Sequence, residues 1–430
     1  MTTARADIVI AGGGIGGLTT ALALHAHGIS ATVLESAGEI RPEGVGINIQ
    51  PPAIAVLTAL GLGEALAETG IATREHRYLD HTGTVLWTEP RGIAAGHAYP
   101  QYSLHRGELQ MLLLAAVHDR LGPDAVRTGA RLTSFEQTGD GVRAVVGDRA
   151  AGSTTAYEAA ALIGADGLHS AVRSQLHPGQ AGLSTAGVDM WRGLTDVPDF
   201  LDGRTMILVN DKNHARLIAY PCSARHAAQG RALVNWVCLL PIPESGPSGD
   251  PGWDRPGQLA DVLPHFSHWD LGWLDVPDML SRSNQILQYP MVDRDPLAHW
   301  GKGRVTLLGD AAHLMYPIGA NGASQAILDA AAVATHLAGD GDVAAALQRY
   351  EEVRRPATTA IVQANRDMDR AERAVAGSPD QDKAAALAVL TSNYRTTVDG
   401  TLEAEGSPTK SAPMSPLVDD VTTQADPSLA

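Results

Sequence analysis

The chain has 430 residues, 44% hydrophobic and 19% charged, with a formal charge of −16 and a pI near 5.4. That length supports a large buried core and two domains, and the acidity argues against nucleic acid or an anionic membrane as partner. Cys222 and Cys238 make no disulfide framework or metal spacing, which implies buried free thiols in a reducing cytoplasm, and no run is long and apolar enough to span a membrane.

In chain order, the apolar strand Asp7–Ala11 runs into Gly12-x-Gly14-x-x-Gly17, and a helical pattern follows through Leu18, Ala21, Leu22 and Leu24. A second strand, Ala31–Leu34, ends on Glu35. This strand–turn–helix–strand–acid unit is the context that makes a glycine pattern a dinucleotide site. Gly12 makes the tight turn, Gly14 lets backbone approach a pyrophosphate, and Gly17 lets the helix pack on the sheet. Ile15 and Gly16 open the helix, whose N–H groups face the phosphates. A Gly- and Pro-rich connection, Ser36 to Gln50, precedes a helix expected over about 52–66. Residues 76–100 read as a short β excursion, and Leu104–Gln110 opens another helix. Alternating segments near 131–136 and 142–146 suggest an antiparallel meander, which leads to the buried strand before Asp166.

Residues 182–290 change character: five tryptophans cluster there among strand-like runs, with a loop-rich stretch at 241–256. From Arg304 the α/β pattern returns with strand Val305–Leu308, the turn Gly309–His313 and a helix over 323–337. Further helix is expected over 343–369, with a kink at Pro356, and over about 383–394. The Ser-, Pro- and Thr-rich segment from about 399 to 430 reads as a flexible tail. The division expected is a discontinuous dinucleotide-binding unit (1–75, 101–181 and 291–398, with C-terminal helices) and a β-sheet unit (76–100 and 182–290).

Three motifs recur along the chain: Gly12–Gly17 with Glu35, Asp166-Gly167 with Arg173, and Gly309-Asp310. An Asp after a strand also serves as a helix cap, but the order and spacing of all three resemble the group A flavoprotein monooxygenases, related to para-hydroxybenzoate and salicylate hydroxylases. Segments 40–51, 99–111, 288–296 and 315–325 more closely resemble the bacterial phenazine hydroxylases, the 5-methylphenazine-1-carboxylate monooxygenases. The resemblance implies an α/β fold, with a Rossmann-like FAD-binding domain of the para-hydroxybenzoate hydroxylase type and an inserted β-sheet substrate domain. In such enzymes the first motif holds the ADP half of FAD, the second serves FAD and reduced nicotinamide, and the third meets the ribityl and pyrophosphate. Ser36, Arg41, Gly44, Val45, Arg106, Gln110 and Leu132 are further cofactor candidates. After Pro317 the broad family reads Gly-Gln-Gly-x-Asn. Here Gly319, Ala320, Asn321, Gly322 and Ala323 follow, so backbone N–H groups at a helix start would face the pyrimidine edge of the flavin.

The implied reaction takes a hydride from NADH or NADPH onto FAD and adds O2 to give a flavin C4a-hydroperoxide. It then hydroxylates a fused aromatic acid, with decarboxylation where the attacked carbon bears a carboxylate. A single glycine fingerprint implies that the nicotinamide cofactor binds transiently. Trp191, Met206, Leu208, Tyr220, Trp236, Tyr289 and Ile318 are candidate walls for a small planar aromatic substrate, and Arg192 and Arg204 are candidate carboxylate partners. Plain core packing is the competing reading for each apolar wall. No single catalytic side chain stands out, and His313 reads as a packed or capping histidine. No metal-ligand spacing is present, and a monomer or homodimer is expected. A flavin halogenase is set aside, because no lysine precedes Lys212 and no Trp-x-Trp tunnel motif occurs. Three other readings stay open: a hydroxylase of another polycyclic product, a flavin reductase or dehydrogenase without oxygen transfer, and a non-enzymatic escort on the same fold.

Overall fold

In the computed structural model, residues 2–148, 152–242, 255–339, 341–376 and 380–404 are described. The apolar strand Ile8–Ala11 is wholly buried and sits at the centre of a five-stranded parallel sheet. The order is Val305–Leu307, Ala161–Gly164, Ile8–Ala11, Ala31–Leu34, Val126–Arg127. Strands buried on both faces need continuous apolar runs, and Ile-Val-Ile-Ala and Ala-Leu-Ile-Gly supply them. The carboxyl ends of four of these strands therefore converge on one edge, and they carry Gly12, Glu35, Asp166 and Asp310.

The second large sheet has eight strands, in the order Arg255–Pro256, Ile286–Asp293, Ser184–Val197, Ala232–Pro241, Arg216–Pro221, Thr205–Asn210, Glu75–Asp80, Val85–Pro90. All its pairs are antiparallel except Thr205–Asn210 with Glu75–Asp80. One face packs on helices Leu259–Phe266 and Val276–Ser281, burying Trp236, Phe266 and Trp269. The other face meets the parallel-sheet unit. A three-stranded sheet lies between them, made of Gly46–Ile49, Gln101–His105 and Ile71–Thr73. A four-stranded sheet holds the antiparallel meander Ala130–Gln137, Val142–Asp148 and Thr154–Ala159, with Thr2–Arg5 parallel at its edge.

Three expectations are corrected. The helix expected over 52–66 is two helices, Pro51–Ala59 and Gly63–Thr69, because Gly61 at φ +75° ends the first in the left-handed conformation. The helix expected over 343–369 extends to Ala376 and holds Pro356 in its interior. The residues around the proline are anchored: Arg354 donates from Nε to Asp329 at 2.7 Å and from Nη2 to Gln325 Oε1 at 2.6 Å. These contacts tie the turn before the proline to helix Gly322–Ala338. Residues 399–404 belong to a helix, Asp380–Ala404, and not to a tail. The rest of the expected tail, 405–430, and residues 243–254 of the expected loop lie outside the described residues.

Candidate active site

The glycine turn is built by close approach. A Cβ on Gly12, whose φ is +105°, would stand 2.3 Å from Ala165 O, and one on Gly17 would stand 2.0 Å from Gly12 O. Around Gly14 a Cβ would meet nothing within 4 Å. Gly12 and Gly17 thus serve packing, while Gly14 borders open space. The helix Ile15–Ala26 starts there with no side-chain cap and no acid in its first turn, so its first N–H groups are available to an anion. Ile15, Gly16 and Gly17 do not line the cavity. Gly16 stands against the Leu308 side chain, and what these three residues can offer a cofactor is the backbone N–H groups at the helix start.

One cavity of about 1840 Å³ runs from this turn to the eight-stranded sheet. Ordinary small-molecule pockets hold roughly 300–1,000 Å³, so this one has room for a large cofactor and a second molecule. At one end are Gly12, Gly14, Glu35, Ser36 and Leu132. Glu35 is already oriented: its carboxylate accepts from Gly13 N at 2.8 Å and Ala37 N at 2.7 Å. Gln110 donates to Gly13 O at 2.8 Å, which ties the helix Arg106–Leu121 to the turn. Arg41, Gly44, Val45 and Arg106 line the middle, with Gly44 at φ +113° packed on the Arg106 side chain. Opposite lie Pro317, Gly319, Ala320, Asn321, Gly322 and Ala323, at the start of helix Gly322–Ala338, which also lacks a side-chain cap.

The three strand-end acids differ. Asp310 faces the cavity, where protein encloses it, and that burial raises its carboxyl above the usual range against the pull of His313 and Arg106. Asp166 lines the cavity too, but its oxygens accept from Ser170 Oγ, from Ala171 N at 2.8 Å and from Val172 N at 3.3 Å. It organises the start of helix Ala171–Leu176, the capping role that the residue type also allowed. Arg173 does not line the large cavity. Its guanidinium is buried against Ala311 O at 2.9 Å and Gln180 Oε1 at 2.9 Å, outside the large cavity. It braces the Asp310 turn from behind and lines a separate groove with His177 and Arg294. His313 is buried with Nε2 2.6 Å from Asp329 Oδ2, and Asp329 also accepts from Gly309 N at 3.0 Å. Burial would raise the Asp329 carboxyl, yet the His313 and Arg354 contacts outweigh it and hold it below the usual range.

Register decides the sheet end. Tyr78, Leu208, Ile218, Val237, Arg192 and Leu287 stand in one cross-strand row, and all six line the cavity. The next row, Leu79, Val209, Leu217, Cys238 and Trp191, belongs entirely to the core on the far face. Trp191 therefore points away from the cavity. So does Trp236, fully buried, with its N–H donated to Thr195 Oγ1 at 3.1 Å. Adjacent residues on a strand face opposite sides, so Trp191 and Arg192 cannot share a pocket. Arg204 is also excluded, since its Nε donates to Ala72 O at 2.8 Å on the exposed side. Met206, Leu208, Tyr220, Tyr289 and Ile318 do line the cavity, as does Arg192, which donates to Gly46 O at 2.8 Å while its Nε is buried without a partner. Burial pushes the Tyr220 hydroxyl upward.

Sequence reasoning missed several lining residues. Asn48 and Gln101 sit on the small sheet, where Ser103 and Gln101 both donate to Asn48 Oδ1, and Gln101 Oε1 is orphaned. Thr391, Tyr394, Arg395 and Val398 come from the last helix. Nothing local in the chain marks them, because only the docking of that helix brings them to the cavity. Among the described residues no group of three or more His, Cys, Asp or Glu could hold a metal ion, and no helix is long and apolar enough to cross a membrane.

The residues fit an FAD. Two uncapped helix starts, the open space at Gly14 and a pre-oriented Glu35 all face one cavity of sufficient size. Comparisons with known proteins agree. The FAD binding domain family matches residues 5–365. A phenazine 1,6-dicarboxylic acid hydroxylase, PhzS, from Lysobacter antibioticus is 67% identical over 402 residues, 93% of this chain and 99% of the relative. The 3-amino-4-hydroxybenzoate 2-monooxygenase PtnB3 of Streptomyces platensis is 33% identical, covering 85% of this chain and 88% of its own. The crystal structure of Klebsiella pneumoniae HpxO complexed with FAD and uric acid superposes with a TM-score of 0.73 at 25% identity, over 94% of this chain and 97% of that one. The chain therefore belongs to the FAD binding domain family and is an FAD-dependent aromatic monooxygenase.

Proposed function

We propose that this monooxygenase acts on a phenazine-1-carboxylate-type acid and replaces the carboxyl by a hydroxyl. The balance is substrate acid, O2, NAD(P)H and a proton giving the phenol, CO2, water and NAD(P)+. One observation carries the reading: a single cavity joins the glycine turn to the row Tyr78–Leu287, an apolar floor with one arginine in it. The 67% identity to a phenazine dicarboxylic acid hydroxylase supports the substrate class.

In this reading Glu35 accepts the ribose hydroxyls, the start of helix Ile15–Ala26 receives the pyrophosphate, and Arg41, Gly44, Val45 and Arg106 flank the ring system. The backbone of Gly319–Ala323 stabilises negative charge on the reduced ring. Bound there, FAD supplies hydride acceptance from reduced nicotinamide and activation of O2. Leu208, Ile218 and Val237 sit on neighbouring strands, spanning about 10 Å, and offer a flat apolar surface to a fused tricycle. Arg192 holds the substrate carboxylate, and the apolar floor keeps water from the reacting edge. Residues 1–75, 101–181 and 291–398 would form the cofactor unit, and 76–100 with 182–290 the substrate unit.

The test is aerobic NADH and NADPH consumption by the purified holoenzyme, with and without phenazine-1-carboxylate and phenazine-1,6-dicarboxylate, with product mass recorded. A product in which hydroxyl replaces carboxyl supports the proposal. Stimulated oxidation that yields only peroxide, or no stimulation, refutes the phenazine acid as substrate.

A further inference from the structure

The segment Tyr316–Asn321 is held in an unusual shape. Gly319 and Ala320 both have positive φ, +66° and +56°, and Ala320 is one of only three non-glycine residues with positive φ among those described. Left-handed backbone at an alanine persists only where the surroundings impose it. On one side the restraint is Gln50, whose side chain donates to Gly319 O at 2.9 Å and whose N–H donates to Ser324 Oγ at 3.0 Å.

On the other side the restraint is Tyr394, in the last helix. Its hydroxyl accepts from Asn321 Nδ2 at 2.6 Å, donates to Asn365 Oδ1 at 2.6 Å, and lies 3.3 Å from Ile318 O. Asn365 is fully buried and donates to Tyr316 O at 3.0 Å. Tyr394 and Asn365 thus grip both ends of the segment. The fit is tight: a Cβ on Gly319 would stand 1.9 Å from the Tyr394 hydroxyl oxygen. Tyr394 also lines the cavity and lies beyond the region matched by the family. Burial raises its hydroxyl far above its ordinary range, so it stays protonated and able to donate.

We propose that Tyr394 is a positioning residue: its hydroxyl holds the Ile318–Asn321 turn against the bound flavin, so the last helix sets the electronic environment and coupling of the cofactor without touching the reacting atoms. This rests on the reading that Gly319–Ala323 face the flavin.

The test is Tyr394→Phe, which removes the hydroxyl and keeps the ring. FAD content, FAD dissociation constant, the visible spectrum of the bound flavin and peroxide released per NADH are measured on the full chain. The expected result is FAD still bound, with a dissociation constant raised roughly 2- to 10-fold, the worth of about one net hydrogen bond. A changed spectrum and a higher peroxide fraction accompany it. Gly319→Ala is expected to disturb the same readouts, and less so in a Tyr394→Ala background, because the two act through one contact. A wild-type-like Tyr394→Phe in all four readouts, or strict additivity of the pair, overturns the proposal. A wild-type chain that binds no FAD overturns the flavin-site reading, and this inference falls with it. Bound FAD together with a silent Tyr394→Phe overturns this inference alone.

Discussion

The five-stranded parallel sheet offers the cavity its strand ends, whereas the eight-stranded sheet offers a face. At strand ends the functional groups are backbone N–H groups and a few acids placed by turns, and turns demand particular residues. Gly12 and Gly17 are glycines because a Cβ would enter a backbone carbonyl oxygen. On a sheet face the functional groups are alternate side chains, and which alternate set is chosen depends on what packs against each side. Trp191 and Arg192 are neighbours in sequence and belong to opposite worlds: one to the core with Cys238 and Leu217, the other to the cavity. A strand end advertises its role in residue type, while a face hides it in parity.

That contrast can be broken or sharpened by substitution. The largest effect is expected at Gly17→Ala, whose Cβ meets backbone at 2.0 Å; we expect a loss of about 3 kcal/mol in stability and of FAD content together. Gly14→Ala is its control. With nothing within 4 Å, it should leave the unfolding temperature near that of the parent while weakening FAD binding. Equal destabilisation by both would contradict the division between packing and open glycines. Next is the parity pair. Arg192→Met should cost about 10- to 100-fold in kcat/KM for the acid, the worth of a charge-assisted hydrogen bond, with little change in stability. Trp191→Phe should cost about 1–2 kcal/mol of stability and leave KM unchanged. A KM effect at Trp191 would show that the register reading is wrong.

The smallest effect concerns Glu372, which lines the cavity and lies 3.2 Å from Arg216. Burial, helped by nearby Asp369, pushes its carboxyl up to about 7 against the pull of Arg216. The folded protein therefore binds this proton more tightly than the unfolded chain. The resulting stabilisation is fully present below the ordinary carboxylate range and is lost as pH rises through about 7. Unfolding temperatures between about pH 5 and 8 should decline in the parent, and Glu372→Gln should flatten that part of the decline. An unchanged slope would mean that Glu372 is already ionised across the range.

Much of the nucleotide end was legible in the chain. The glycine spacing, Glu35 and the acids at 166 and 310 all arrive at the same cavity edge. Even there, residue type could not separate Asp310, which faces the cavity, from Arg173, which braces its turn from behind through Ala311 O. At the substrate end, composition suggested tryptophans as walls, because large flat side chains suit a flat ligand. The far core had claimed them, since Trp236 and Trp191 bury more apolar surface against the helices at 259–266 and 276–281 than a water-accessible cavity would allow. Arg204 failed for a different reason: it lies one residue before the strand Thr205–Asn210, where alternation no longer binds the side chain to a face.

By itself the sequence determined the dinucleotide unit, because close backbone approach leaves glycine as the only residue that fits, and short-range geometry is written in short-range pattern. It also determined that 182–290 would be rich in strands, although the edge strand Arg255–Pro256 falls in the stretch read as loop. Tertiary structure alone decided which face of that sheet would meet the cofactor cavity, and that a helix ending at Ala404 would place the Tyr394 hydroxyl against Asn321, 73 residues away. Contacts of that kind depend on how separate elements dock, and docking is settled by the sum of many buried surfaces that no local window of the chain contains.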